Sequence, residues 1–237
     1  MIDIIGEALV DFNQGMYSED IKTYSSLDEE GTMPLPYLFR GFDEMPDLEQ
    51  KALKLCSGKV LDIGCGSGSH SLYLQNKGFE VTALDRSNGA VQVCKDRGIL
   101  KTLNCSVLDH EGPKYDTLLL LMNGIGIAGD LNSLNIYLNH FKKLLRPNGQ
   151  VLLDSSDIIY MYDQDDDGGY WIPNNGDYYG EVLFEMEYKG KRSKPFKWLY
   201  IDYQTLKNCA ENHNFNCEYV SEGPHYDYLS RLTLKQY

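Results

Sequence analysis

The sequence predicts an α/β fold built on a largely parallel sheet with helices on both faces. Three observations carry this expectation. Short apolar runs at 59–63, 80–84, 101–105, 117–122 and 150–154 alternate with helix-like stretches at 69–77, 88–97 and 130–145. The fourth run, ending Leu118-Leu-Leu-Leu-Met122, is apolar throughout, as a strand covered on both faces requires. The first run ends in a glycine-rich turn that opens a helix.

Taken in order, residues 1–46 are polar, carry Pro34, Pro36 and Pro46, and read as an N-terminal arm with only short helical pieces. The rest, 47–237, reads as one domain with an insertion at about 157–201. Leu48, Ala52, Leu53 and Leu55 recur near helical spacing before the first strand. Leu131, Leu134, Leu138, Phe141 and Leu145 share one face of the helix at 130–145, which Arg146-Pro-Asn-Gly149 is expected to stop. Residues 157–180, rich in Asp, Gly, Asn and Tyr, suit a surface excursion. The segments 181–188 and 196–201 flank the basic turn Lys189-Gly-Lys-Arg-Ser-Lys194 as a hairpin. A helix at 202–213, with Asp202 as N-cap, precedes two further strands at 216–221 and 226–234, read as an antiparallel pair closing the sheet.

Bulk properties narrow the function. The 237 residues carry a formal charge of −13, a field that repels nucleic acid and anionic membranes. Six cysteines without a C-x-x-C spacing indicate neither a zinc site nor a disulfide framework. The N-terminus shows no secretory signal, and the longest apolar run is too short to span a bilayer. A cytoplasmic location is expected.

The decisive stretch is Val60-Leu-Asp-Ile-Gly-Cys-Gly-Ser-Gly-Ser-His70. A dinucleotide turn reads G-x-G-x-x-G, with its pyrophosphate on a helix N-terminus. Here Gly64, Gly66 and Gly68 are spaced two and two, after Asp62. A second acid, Asp85, ends the second strand in Val81-Thr-Ala-Leu-Asp85-Arg86. This pattern resembles the E/D-x-G-x-G-x-G turn of the class I S-adenosylmethionine-dependent methyltransferases, with a good match over 56–155 and a looser one over 202–235. The resemblance implies a doubly wound seven-stranded sheet of order 3-2-1-4-5-7-6, strand seven antiparallel, with S-adenosylmethionine at the carboxyl ends of its strands. It also implies cofactor contacts from Asp62, Gly64, Cys65, Gly66 and Gly68, and from Asp85 to the ribose, with Arg86 beside it. Ser106 stands where many relatives carry an acid near the adenine, and Asn123 follows strand four. Asn123-Gly-Ile-Gly126 replaces the Asn/Asp-Pro-Pro-aromatic turn of nucleic-acid amino-methyltransferases, which again disfavours a nucleic-acid acceptor.

Methyl transfer is an in-line displacement that needs an aligned nucleophile freed of its proton. Asp157, after strand five, is read as an acceptor-side carboxylate or a helix cap. His70 is read as a base or a hydrogen-bonding partner of the cofactor. Arg40 and Tyr37 suit a lid that reaches a carboxylate, or an apolar anchor. Tyr160 belongs to an aromatic-rich insertion that stacks on a small acceptor or packs on itself. No metal is expected. Asp163-Gln-Asp-Asp-Asp-Gly168 opens like a calcium loop, but its twelfth position is Asn174 and a solvated loop is the preferred reading. The expected activity is methyl transfer to an O or N atom of a small molecule. A cofactor-binding protein without catalysis and an NAD(P)-dependent oxidoreductase are the alternatives, the latter disfavoured by the glycine spacing.

Overall fold

The computed structural model describes residues 2–27, 30–172 and 177–235. The chain opens with α1 (Ile4–Asn13), β1 (Ile21–Ser25), β2 (Gly31–Met33), α2 (Leu35–Leu38) and α3 (Asp47–Leu55). The alternating region follows as β3 (Lys59–Ile63), α4 (Ser69–Asn76), β4 (Glu80–Asp85), α5 (Asn88–Asp96), β5 (Thr102–Asn104), β6 (Tyr115–Leu120), α6 (Leu131–Leu144) and β7 (Leu145–Ser156). The chain then forms β8 (Glu181–Tyr188), β9 (Lys191–Arg192), β10 (Phe196–Leu199), α7 (Tyr203–Asn212), β11 (Phe215–Glu222) and β12 (Asp227–Leu234).

Seven strands form one sheet in the order β11-β12-β7-β6-β3-β4-β5. β12 runs antiparallel to β7 and β11, and the other pairs are parallel. This is the expected order. The apolar run in β6 is explained by its two faces. Leu118 and Leu120 pack with Leu134, Leu138 and Phe141 of α6, whereas Leu119 packs with Ala52 and Leu53 of α3. Asp130 caps α6 by accepting from the Ser133 amide at 2.8 Å, and Asp202 caps α7 through the Thr205 amide at 2.9 Å. The Pro-Asn-Gly segment does not separate α6 from its strand. β7 starts at Leu145, paired with Tyr115, and the register shifts before Thr117 meets Gln150.

The arm differs from the expectation of little regular structure. It supplies a ten-residue helix and two strands, and β1 pairs with β8 of the insertion to build a second sheet, β10-β8-β1-β2, with β9 on β8. Lys22 faces Glu187 and Thr23 faces Met186, partners more than 160 residues away. Only Ile21 of β1 is fully buried. Such a strand carries little local pattern, since its pairing is non-local. The 189–194 turn closes the hairpin as expected, with Lys189 and Lys191 paired to Asp11 and Glu7 of α1.

Candidate active site

The glycine loop leaves β3 with three left-handed residues: Gly64 at φ 75°, Gly66 at 52° and Gly68 at 82°. They serve different ends. A Cβ on Gly64 or Gly66 would project into open space, forming a cradle that only glycine leaves clear. One on Gly68 would lie 2.3 Å from Ile99 Cδ1 and 2.8 Å from Cys94 Sγ, so that glycine serves packing. The Gly64 and Cys65 amides donate to the Leu84 carbonyl at 2.8 and 3.1 Å, fastening the loop to β4. The Cys65 thiol turns inward, 3.6 Å from Cys94 Sγ.

Asp62, expected among the cofactor contacts, bonds within the fold. Its buried carboxylate accepts from Ser71 Oγ at 2.6 Å and ties β3 to α4; burial pushes its pKa up. Asp85 instead holds the loop, accepting from the Gly66 amide at 3.0 Å and the Ser87 amide at 2.8 Å. Burial raises its pKa against those bonds. Each of its oxygens takes one protein amide, which leaves both able to accept from a ribose diol.

Beside the loop lies an ionic array centred on Glu49, a residue the sequence reading passed over. Arg40 Nη2 donates to both Glu49 oxygens, and His70 Nε2 lies 2.7 Å from Glu49 Oε2. All three side chains are buried. Burial works to raise the Glu49 pKa, but hydrogen bonding and charge from His70 and Arg40 outweigh it and hold the carboxyl below its ordinary value. Arg40 stacks 3.7 Å above the ring of half-exposed Tyr37 and donates to its carbonyl. Arg40 Nε is buried without a hydrogen-bond partner. Glu49 could have been found: it precedes Ala52 and Leu53 by three and four residues, on the buried face of α3.

After β6, Met122 and Asn123 are both left-handed, at φ 62° and 53°. Asp154 holds this strained pair by accepting both amides, at 3.1 and 2.8 Å. Burial and then the Glu49 charge push the Asp154 carboxyl up to about 7. The Asn123 side chain donates to the Leu199 carbonyl and accepts from Ser155 Oγ, linking the two sheets. Gly126 lies directly under the Trp198 indole; a Cβ there would sit 2.1 Å from its Nε1.

These elements enclose a cavity of about 240 Å³ between the carboxyl edge of the seven-stranded sheet and the inner face of the second sheet. Arg40, Asp62, Gly64, Cys65, Gly66, His70 and Asn123 come together on it. Gly68 caps the adjoining helix. Asp85 stands behind the loop, outside the cavity lining, and other expected residues also lie away from it. Asp157 Oδ1 accepts from the Ile159 amide and from Tyr179 Oη, so its carboxylate caps a turn and holds the insertion. Tyr160 stacks on Tyr226 at 4.9 Å. Ser106 caps the turn at 107–109, accepting from the Leu108 amide at 3.3 Å, and Arg86 is exposed beside Asp85. In the acidic run, Asp165 accepts from the Asp167 and Gly169 amides; Pro173 and Asn174 lie outside the described residues. Among the described residues no three His, Cys, Asp or Glu side chains gather in a metal-binding group. No described helix is long and apolar enough to cross a membrane.

A parallel sheet with an acid-anchored glycine cradle at its carboxyl edge defines a nucleoside-binding α/β protein. A SAM-dependent methyltransferase from Bacteroides fragilis, solved with S-adenosyl-L-homocysteine, is 42% identical, with 99% of this chain and 95% of that chain covered at a TM-score of 0.91. The chain therefore belongs to the S-adenosylmethionine-dependent methyltransferases, and S-adenosylmethionine is its cofactor. The family described as tellurite resistance protein TehB matches residues 46–119. Rat (Rattus norvegicus) glycine N-methyltransferase is 25% identical over 122 residues, covering 44% of this chain and 42% of that protein. A 23S rRNA (uracil(747)-C(5))-methyltransferase of Pyrococcus horikoshii is 34% identical over 82 residues, covering 32% and 20%. The chain thus spans less than half the length of these curated relatives.

Proposed function

We propose that the protein transfers the methyl group of S-adenosylmethionine to an O or N atom of a small molecule. The observation that carries this reading is the cavity itself, which joins the glycine cradle to an aromatic wall. The residues fit the cofactor: Gly64 and Gly66 leave its approach clear, Asp85 keeps acceptor capacity for the ribose, and Arg40 Nε lacks a partner that a carboxylate tail would supply. Bound there, the cofactor supplies an electrophilic methyl group on a sulfonium sulfur.

The chain's own part is binding, orientation and exclusion of water. Glu49 fixes Arg40 and His70, and Asp154 fixes the Met122–Asn123 corner. In this reading His70 is a positioning residue, because Glu49 engages its Nε2. Asp157 acts likewise through Tyr179, and Arg86 and Ser106 flank the ribose and adenine side. The arm, including Tyr37, and the 157–201 insertion, including Tyr160, act together as the lid of the methyltransferase domain. The charge of −13 supports a small acceptor over nucleic acid, and six free thiols suit a reducing cytoplasm.

The test is calorimetry of the purified chain with S-adenosylhomocysteine, then turnover of labelled S-adenosylmethionine against a panel of small hydroxyl and amine compounds. Cofactor binding followed by acceptor-dependent release of S-adenosylhomocysteine is expected. Tight binding with no turnover on any small acceptor, or turnover on RNA alone, would contradict the proposal.

A further inference from the structure

The second sheet faces the cavity with one side only. In β8, Val182, Phe184 and Met186 point inward while Leu183, Glu185 and Glu187 alternate outward. β10 places Phe196 and Trp198 inward, with Lys197 bound outside to Asp130 and Glu181. β1 adds Thr23 and Ser25, hydroxyls without charge.

A second cavity, of about 200 Å³, continues along the same face, under the turn at 159–161. Thr23, Phe184 and Tyr200 line both cavities, so the two are neighbours sharing a wall. Among the described residues no charged side chain lines the second cavity. In the first, the acidic and basic side chains among the described residues are Arg40, Asp62 and His70, all on the cofactor side. An acceptor carrying a phosphate, carboxylate or ammonium beyond the cofactor would find no counter-charge among the described residues of this wall, and burying it there unpaired is costly.

We propose that the acceptor is an uncharged, elongated apolar molecule. Its reacting end lies between Asn123 and Trp198, and its apolar chain runs along the second sheet into the further cavity. This inference rests on the methyl-transfer reading of the first cavity. It goes beyond that reading by naming the acceptor's charge and shape.

The experiment uses Trp198 as reporter. The chain has two tryptophans, and Trp171 is 71% exposed, so Trp171→Phe isolates the cavity signal. The protein is saturated with S-adenosylhomocysteine, whose own affinity is measured first by calorimetry. It is then titrated with 4-alkylphenols from methyl to heptyl, with 4-hydroxyphenylacetate and glycine as charged controls. Affinity should tighten about three- to fourfold per added methylene until the second cavity is filled. The charged controls should bind at least about tenfold more weakly than the butyl compound. Ser25→Asp, at a half-buried position of the wall, should abolish the chain-length gain and leave S-adenosylhomocysteine affinity unchanged. Phenols that show no chain-length dependence, or charged controls that bind as well, overturn the acceptor class while normal S-adenosylhomocysteine binding leaves the functional reading standing. Failure to bind S-adenosylhomocysteine overturns both.

Discussion

The two walls of the cavity are made by opposite chemistry. On and behind the parallel-sheet side, acidic and basic groups are held in pairs and amide contacts: Arg40 and His70 on Glu49, Asp62 on Ser71, Asp85 and Asp154 on backbone N–H groups. On the second-sheet side the wall is aromatic and aliphatic, with two hydroxyls from β1 and no charge among the described residues. The first wall spends its polar groups fixing a backbone shape for a ligand with many polar atoms. The second offers area and shape. Under the proposed function, the division makes recognition of the cofactor and of the acceptor separable, so that each can be damaged without the other.

The largest effect should come from breaking the ionic array. Arg40 and Glu49 side chains are 4% and 5% exposed, so Glu49→Ala strands two buried basic groups. Loss of a buried partner costs about 3–5 kcal/mol, and urea unfolding should report a loss in that range. Equal stability of the variant and the parent would show that the array carries no weight.

The glycines sharpen the comparison within the first wall. Gly68→Ala should lose about 1–3 kcal/mol of stability, because its Cβ meets Ile99 and Cys94 at a left-handed φ. Gly66→Asn, a residue that tolerates the left-handed φ of 52° and extends into open space, should instead weaken S-adenosylhomocysteine binding while losing less stability than Gly68→Ala. A reversed ranking of the two would contradict the cradle.

A smaller effect lies in pH. The Asp154 carboxyl titrates at about 7 when folded, against an ordinary 3.8. Between those values the folded chain keeps a proton that the unfolded chain has lost. This contribution to stability is therefore full below about pH 4 and declines as pH rises toward 7. Asp154→Asn should flatten that slope in unfolding free energy measured from pH 4 to 8, and an unchanged slope would assign it elsewhere.

Much of the parallel sheet was legible because its signals are local. The β3 span and the Asp202 cap follow from runs and cap residues a few positions apart. The glycine turn after β3 and the place of Asp85 at the end of β4 were legible for the same reason. The second sheet was not, since Thr23 meets Met186 across most of the chain and β1 buries little. Glu49 hid in an amphipathic helix where an acid reads as solvated unless its face is traced. Asp157 and Asp154 sit three residues apart at the same strand end; only the fold shows which one reaches the Met122–Asn123 corner.

The central claim is the division of labour between the walls, and one paired titration tests it directly. S-adenosylhomocysteine affinity is measured by calorimetry for the parent chain, Asp85→Ala and Phe184→Ala. Asp85→Ala should weaken binding about tenfold or more, the loss of charged hydrogen bonds, while Phe184→Ala should stay near the parent value. Equal weakening by both variants, or by Phe184→Ala alone, would contradict the account.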